Sequence, residues 1–386
     1  MSHGPRQLRQ AEFVAMIAMS SGSVAFAIDG MLPALPDIAA ALSPDRPNSV
    51  QLIVTCFMLG MALGTLVMGP VSDAVGRKPV IAGAMGIYVL AALACWAAPS
   101  LETMVASRVV MGFAAAAPRV VSMALVRDLY SGRTIARIMS FAMVVFTLVP
   151  ALAPSIGHYI TDWFGWRFVF ISFGVFGAIA AAWIMIRQPE TLAPENRRPL
   201  NLRRIWDATK EVYSIRITRL SIIAKMLVSA TILSLLSSTQ QINWFGLLAI
   251  FATSASLLNA KFVVRFGMQR MIRMAFTIQL LLTAALVISS AHGGHFGIYL
   301  LWSMGQFMPA GFTIGNLSAL AMEPMGHIAG IAASVIAAVS TIGGVLIAIP
   351  IGRAFDGTAL PFSIGIFLVL CIALYTAILI GREATN

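Results

Sequence analysis

The chain has 386 residues, of which 59% are hydrophobic and only 11% charged, with a mean hydropathy of +0.87. A soluble protein carries about a quarter charged residues, so this composition excludes a globule surrounded by water and points to lipid. The 26 Lys and Arg against 15 Asp and Glu sit at the ends of apolar runs without interleaved aromatics, which speaks against a nucleic-acid partner and fits headgroups and membrane topology.

Arg6 and Arg9 precede an apolar run at 12–35. That opening imitates a signal peptide, yet the run passes Asp29, reaches Pro36 and is followed by more runs, so it reads as an uncleaved first span. Charges, glycines and prolines bound the next five at 49–70, 79–98, 103–125, 134–158 and 167–187, each near the roughly 20 residues a bilayer-crossing helix needs. Residues 188–218 are polar, basic and broken by proline, and read as a cytoplasmic linker. A second set follows at 219–239, 243–264, 270–291, 296–321, 328–350 and 361–381. The expected fold is an all-α membrane protein of twelve transmembrane helices in two pseudo-symmetric six-helix bundles, 1–187 and 219–386. Little chain is left for a soluble domain.

Basic residues favour cytoplasmic loops. With the N-terminus inside, 20 of the 26 fall on the cytoplasmic side; Arg46, Arg167 and Arg353 lie outside, and Arg108, Arg119 and Lys225 within spans. Both termini are therefore expected in the cytoplasm. The same threading exposes a repeat: GPVSDAVGRKPVI at 69–81 has a degraded partner, AKFVVRFGMQRMI, at 260–272, and SIGHYITD at 155–162 is echoed by PIGRAFD at 350–356. Two related halves with a midplane site are a recurring transporter design. Cys56, Cys95 and Cys371 lie in separate apolar runs without paired spacing, so neither a disulfide nor a metal site is expected.

Asp29, within AFAIDGMLPALPDI, is the acid set well inside a span. Its depth from the outer face is close to that of Arg108 on the fourth span, which makes the two candidate partners. A carboxylate in low dielectric beside an arginine can take up and release a proton; the alternative is a helix-end acid close to water. Arg108 opens the run RVVMGFAAAA, where an arginine inside a membrane helix is costly unless hydrated or paired, the alternative being that it reaches back to the outer headgroups. Arg119 lies eleven residues further on, and steps of about 100° bring it back to within about 20° of the same face. Both arginines are expected to face one hydrated cavity, with Phe26 and Met111 among its wall residues.

At the turn between the second and third spans stands GPVSDAVGRK, Gly69 to Lys78. Its glycines let helix ends approach, and its acid and base lie close enough to pair across a tight turn. A topogenic turn that merely keeps Arg77 and Lys78 inside is the alternative. Arg127 and Asp128 close the fourth span on the same side and are expected to pair at the interface near Asp73. On the fifth span, PALAPSIGH brings Pro150, Pro154 and Gly157 together, prolines bending the helix and glycine permitting close packing; the bend serves packing or movement. Lys225 either lines a cavity or reaches the cytoplasm, and His292 and His295 read as an external loop. Most of the 22 methionines read as lipid-facing.

The loop at Gly69, Asp73, Gly76, Arg77 and Lys78 resembles the GxxxDxxGRK signature of the major facilitator superfamily. The fourth span resembles the family's arginine motif, and the fifth its antiporter motif in degraded form. DGMLPALPDIAAAL at 29–42 and NLSALAMEPMGHIAGIAAS at 316–334 are similar to the bicyclomycin and chloramphenicol resistance (Bcr/CflA) branch of drug:proton antiporters. The resemblance implies that Arg108 is linked to proton coupling. It also implies that Asp73 and Arg77, with Gly69, Gly76, Lys78, Arg127 and Asp128, lock the outward-open state, the positive N-terminus of the eleventh helix near Ile328 offering Asp73 a partner. The second copy has Val264 in place of the acid, so the lock would be asymmetric.

The expected function is secondary active export of small, partly hydrophobic organic molecules in exchange for protons by alternating access. The alternative is proton-coupled uptake or dedicated export of one metabolite. A membrane enzyme finds no nucleotide loop, metal cluster or catalytic triad to support it. The expected partners are a small-molecule substrate, protons and the lipid bilayer, with no nucleic acid, no metal and no cofactor beyond the proton gradient. A functional monomer in a bacterial inner membrane completes the expectation.

Overall fold

The computed structural model describes residues 9–130, 133–197, 199–200, 202–237, 258–259, 261–354 and 358–383. It divides into two compact units, Met1–Asn201 and Leu202–Asn386. In the first unit α1 (Gln10–Asp29) stops at Gly30 and gives way to a 3₁₀ turn at Leu32–Ala34 and a short α2 (Leu35–Leu42). The first span is thus broken, because Pro33 and Pro36 bring no backbone N–H to the ladder. Then come α3 (Leu52–Val75), α4 (Arg77–Trp96), α5 (Leu101–Leu129), α6 (Arg133–Phe164) and α7 (Arg167–Arg187). Ser100 starts α5 as its N-cap, its Oγ accepting from the Thr103 N–H at 3.3 Å.

The second unit opens with α8 (Leu202–Ser214), inside the stretch read as linker, and continues with α9 (Arg216–Ser237), α10 (Met268–Ala291) and α11 (Phe296–Pro309). A π-helical turn at Ala310–Ile314 joins α11 to α12 (Gly315–Met322), so the run expected as one helix at 296–321 carries a widened turn in its middle. A 3₁₀ segment at Glu323–Ile328, entered at Pro324, leads into α13 (Ala329–Arg353), and α14 (Leu360–Glu383) ends the unit. The expected span at 243–264 lies almost wholly outside the described residues. Among those described, nine stretches are long and apolar enough to cross a membrane; Gln10–Leu42 takes in α1 and α2, and Phe296–Arg353 takes in α11, α12 and α13.

Lipid is as apolar as these side chains, so helix association depends on close backbone packing. Along α5, Ala114, Ala115, Ala116 and Ala117 are all fully buried. Where α5 crosses α3, Gly112 faces the Phe57 carbonyl and Gly60 faces the Val109 carbonyl, so the two backbones touch. That crossing fixes the depth and direction of Arg108. In the second unit Trp302 of α11 donates through Nε1 to Thr283 Oγ1 of α10 at 3.0 Å, and its ring meets Phe362 of α14 edge-on. One turn from that bond on each helix, Gln279 and Gln306 are buried, and among the described residues none of their side-chain amide atoms has a hydrogen-bond partner.

Candidate functional site

Arg108 is fully buried, which rules out a reach back to the headgroups. Its guanidinium donates from Nη2 to the Ala27 carbonyl at 2.9 Å and from Nε to the Ile53 carbonyl at 3.2 Å. The Ala27 oxygen is open because α1 ends two residues later and the Gly30 N–H turns back to Phe26. Met31 Sδ lies 2.9 Å from Nη2 and Met111 Sδ 3.4 Å from Nη1, while the Phe57 ring takes the cation on its face at 4.2 Å. Arg108 therefore clamps α1 and α3 together from α5.

Asp29, the last residue of α1, sits between the two residues that Arg108 holds, Ala27 within the helix and Met31 just beyond it. Its side chain is buried, with 6% of the residue exposed. Among the described residues neither Asp29 nor Arg108 takes part in an ion pair. The expectation of direct partners is corrected: the arginine binds the backbone around the carboxylate. The cation is solvated by carbonyl dipoles, sulfur and a π face, and the acid is positioned at a helix break.

Met111 is corrected in the same way. It is fully buried beside Arg108 and presents no surface to a cavity. Phe26 packs edge-on against Phe173 and Phe176 of α7 and lines an open apolar groove of about 630 Å³ between α6 and α7, with Leu152, Ile156, Phe164 and Val175 among its walls; neither Arg108 nor Arg119 lines it, so it is not the hydrated cavity expected. Arg119 is exposed. Arg108, in contrast, is fully buried, so the expectation that both arginines face one cavity is corrected: helical phase puts them within about 20° of one another, yet Arg119 alone of the two has exposed surface.

Pro154 and Gly157 lie buried within α6, which runs through both Pro150 and Pro154 as one helix; the side chain of Pro150 lies outside the described residues. At Gly157 any Cβ would run into the Gly30 carbonyl oxygen. The absence of a side chain there lets α6 support the broken end of α1, one residue from Asp29. His158 meets Asp162 at 3.4 Å on the exposed side of the same helix.

The second cluster gathers where α3 turns into α4. Arg77 Nη1 pairs with Asp73 and donates to Ser72 Oγ at 2.7 Å, while Nε pairs with Asp128 Oδ2 at 3.0 Å. Asp128 is thereby claimed by Arg77. The expected Arg127–Asp128 pair does not form, because successive residues on a helix point in different directions; Arg127 is exposed. Gly69 has room for a methyl group, its nearest neighbour Val120 lying 3.6 Å from an ideal Cβ, so it is not what brings these helices together.

The hub of this cluster is a residue that sequence reasoning assigned to the linker, Glu190. Its carboxylate accepts from the first two backbone N–H groups of α4, at Arg77 and Lys78, both at 3.0 Å, and from the N–H groups of Thr191 and Leu192 at 2.9 and 3.0 Å. An anion at a helix N-terminus meets both open donors and the positive end of the dipole. Gly76 has φ 121°, and a Cβ on it would stand 2.7 Å from Glu190 Oε2. Thr191 Oγ1 adds a bond to Asp128 Oδ2 at 3.0 Å. The available signal was an acid in Pro189-Glu190-Thr191 just past the sixth span, within reach of a glycine-opened helix start. Glu12 and Arg187 tie the start of α1 to the end of α7, with Arg187 Nε and Nη2 donating at 2.7 and 3.0 Å.

The second unit repeats the frame without the charges. Gly267 opens α10 with φ 78°, as Gly76 opens α4, yet the position of Asp73 is taken by the exposed Val264 and that of Arg77 by Met268. Lys225 Nζ donates to Ser318 Oγ of α12 at 2.9 Å, a contact within the bundle. Among the described residues no group of three or more His, Cys, Asp or Glu is placed to hold a metal.

Over residues 17–348 the sequence matches the Major Facilitator Superfamily. It is 32% identical to a bicyclomycin resistance protein homolog of Haemophilus influenzae, across 94% of this chain and 95% of that protein. A chloramphenicol resistance protein of Pseudomonas aeruginosa is 34% identical over 40% of this chain and 38% of its own length. Among solved structures, the inward-open xylose transporter XylE from E. coli matches with a TM-score of 0.76 at 13% identity, over 96% of each chain. The human organic anion transporter MFSD10 matches with a TM-score of 0.66 at 18% identity, over 96% of this chain and 100% of that one. At such identities the likeness speaks for the fold, an all-α membrane bundle.

Proposed function

Because the chain belongs to the major facilitator superfamily, a family of transporters rather than enzymes, we propose that it exports small, partly hydrophobic organic compounds in exchange for protons by alternating access. The observation that carries the proposal is Asp29, buried at the break of α1 with no ion-pair partner among the described residues. A carboxyl group so placed changes its protonation as its surroundings change between wet and dry, which is what coupling to a proton requires. The outward direction is supported by the similarity to bicyclomycin and chloramphenicol resistance proteins.

In this mechanism Asp29 takes up a proton on the outside and releases it on the inside, and Arg108 acts as a positioning residue. Through Ala27 and Ile53 it holds the end of α1 against α3, so a shift of one helix reaches the carboxyl group. Arg119 adds positive potential on the inner side of α5 and favours neutral or anionic compounds over cations. Arg77, Asp73, Asp128 and Glu190 hold the cytoplasmic end of the first unit together in the outward-open state, with both termini in the cytoplasm of a bacterial cell and the monomer as the working unit.

The test expresses wild type, Asp29→Asn and Arg119→Ala in an efflux-deficient host, compares survival over a panel of compounds, and follows substrate-driven proton movement in vesicles. Asp29→Asn abolishes both protection and proton movement, and Arg119→Ala narrows the advantage of anionic compounds. Wild-type behaviour of Asp29→Asn on both measures would sink the antiport mechanism, and an unchanged anion preference in Arg119→Ala would remove the charge argument.

A further inference from the structure

The helix α8 has three distinct sides. At about 100° per residue, Ile205, Ala208 and Val212 fall on one side, and Ala208 and Val212 are buried within the second unit. Asp207 and Glu211 lie along one edge, and Glu211 is bound by His327 Nε2 at 2.6 Å, two residues before α13 begins. The remaining sector, about 80° wide, presents Arg203, Trp206, Lys210 and Tyr213, all exposed.

Trp206 is 60% exposed and Tyr213 39%, unusually open for large aromatics, and Lys210 Nζ lies 5.5 Å from the Trp206 ring centre. The helix stands immediately before α9, with Arg197 and Arg198 ahead of it and Arg216 and Arg219 behind. Apolar aromatic bodies flanked by cations at the end of a membrane span match the chemistry of the headgroup layer, where aromatic rings reach the acyl boundary and cations meet phosphate. Asp207, itself exposed, borders this sector and Glu211 is held by His327, so the charges inside the sector, Arg203 and Lys210, are both basic. This is the side that the distribution of Lys and Arg assigns to the cytoplasm.

We propose that the Arg203, Trp206, Lys210 and Tyr213 face of α8 docks onto the anionic phospholipid headgroups of the cytoplasmic leaflet and, through the Glu211–His327 contact, ties the start of α13 to the membrane surface. The occupant is lipid because the sector pairs positive charge with exposed aromatic area, whereas a soluble acidic partner would need the charge alone. The inference does not depend on the direction of transport or on Asp29.

The first measurement uses the wild-type chain reconstituted in nanodiscs of phosphatidylcholine with or without phosphatidylglycerol, with hydrogen exchange followed over residues 202–214. Protection of α8 rises with phosphatidylglycerol and falls as salt is added. The second compares anionic lipid retained by wild type and by R203Q/K210Q, counted after purification. A basic residue near an anionic surface contributes about 1 kcal/mol, so losing both lowers lipid affinity roughly 30-fold, while R203K/K210R retains it. If exchange at α8 is indifferent to phosphatidylglycerol, or if the neutralised double variant retains as much anionic lipid as wild type, the proposal fails. Protection gained equally from a soluble acidic peptide would overturn it in favour of a protein partner. Should R203Q/K210Q fail to fold, the wild-type exchange measurement decides alone.

Discussion

Removing the carboxylate of Glu190 should loosen the start of α4 and the loop after α7 together. The side chain accepts four backbone N–H groups, from Arg77, Lys78, Thr191 and Leu192. A side chain that caps a helix start contributes about 1 kcal/mol, and the two bonds that close its own partly exposed loop, where water competes, add a similar amount. Glu190→Ala therefore weakens the local closed state by about 2 kcal/mol, roughly 30-fold in its equilibrium. Hydrogen exchange of the purified protein reads this directly: amides 77, 78, 191 and 192 exchange about that much faster, and Glu190→Gln, which keeps an acceptor without the charge, falls between. Gly76→Ala supplies the cross-check. It meets Glu190 at 2.7 Å from its Cβ and carries a backbone at φ 121°, ψ 159°, a conformation that costs an L-residue about 1–3 kcal/mol. With Glu190→Ala the collision disappears and only the backbone cost remains, so the double variant is less damaged than the sum of the two. Unchanged exchange at amides 77 and 78 in Glu190→Ala would refute the capping role, and strict additivity would refute the contact.

Arg108→Lys keeps the charge but cannot reach the Ala27 and Ile53 carbonyls at once with a rigid fork; losing one charge-assisted bond costs about 1.5–3 kcal/mol. Thermal unfolding in detergent should fall by several degrees and Asp29-dependent transport should fail, whereas a wild-type profile would remove the clamp from the mechanism. Gln279→Met and Gln306→Met each replace a buried amide that has no hydrogen-bond partner among the described residues by an apolar chain of similar length. Each should raise stability by about 1 kcal/mol, measured by the same unfolding; a loss of stability would mean that the amide is partnered after all.

Much of this protein could be read from local pattern. Apolar length, with polar and proline-containing breaks, marked membrane spans, since a helix in lipid must satisfy its own backbone. The loop from Gly69 to Lys78 announced its tight turn through Gly76, and its counterpart announced Gly267, because left-handed backbone selects glycine locally. Helical phase put Arg119 and Arg108 on one face, but it could not say that Arg108 would be fully buried while Arg119 is exposed. What required the tertiary structure was every pairing across elements. Depth made Asp29 and Arg108 candidate partners, but only the crossing of α5 with α1 and α3 shows Arg108 spending its donors on the Ala27 and Ile53 carbonyls. Adjacency suggested Arg127 for Asp128, while the fold gives that acid to Arg77, 51 residues away in sequence. Glu190 looked like one more polar linker residue until the chain brought it to the open N–H groups of α4, 112 and 113 residues distant. Sequence pattern records what each helix needs from its own backbone and from lipid; which charge meets which carbonyl depends on where helices cross, and no single segment contains that information.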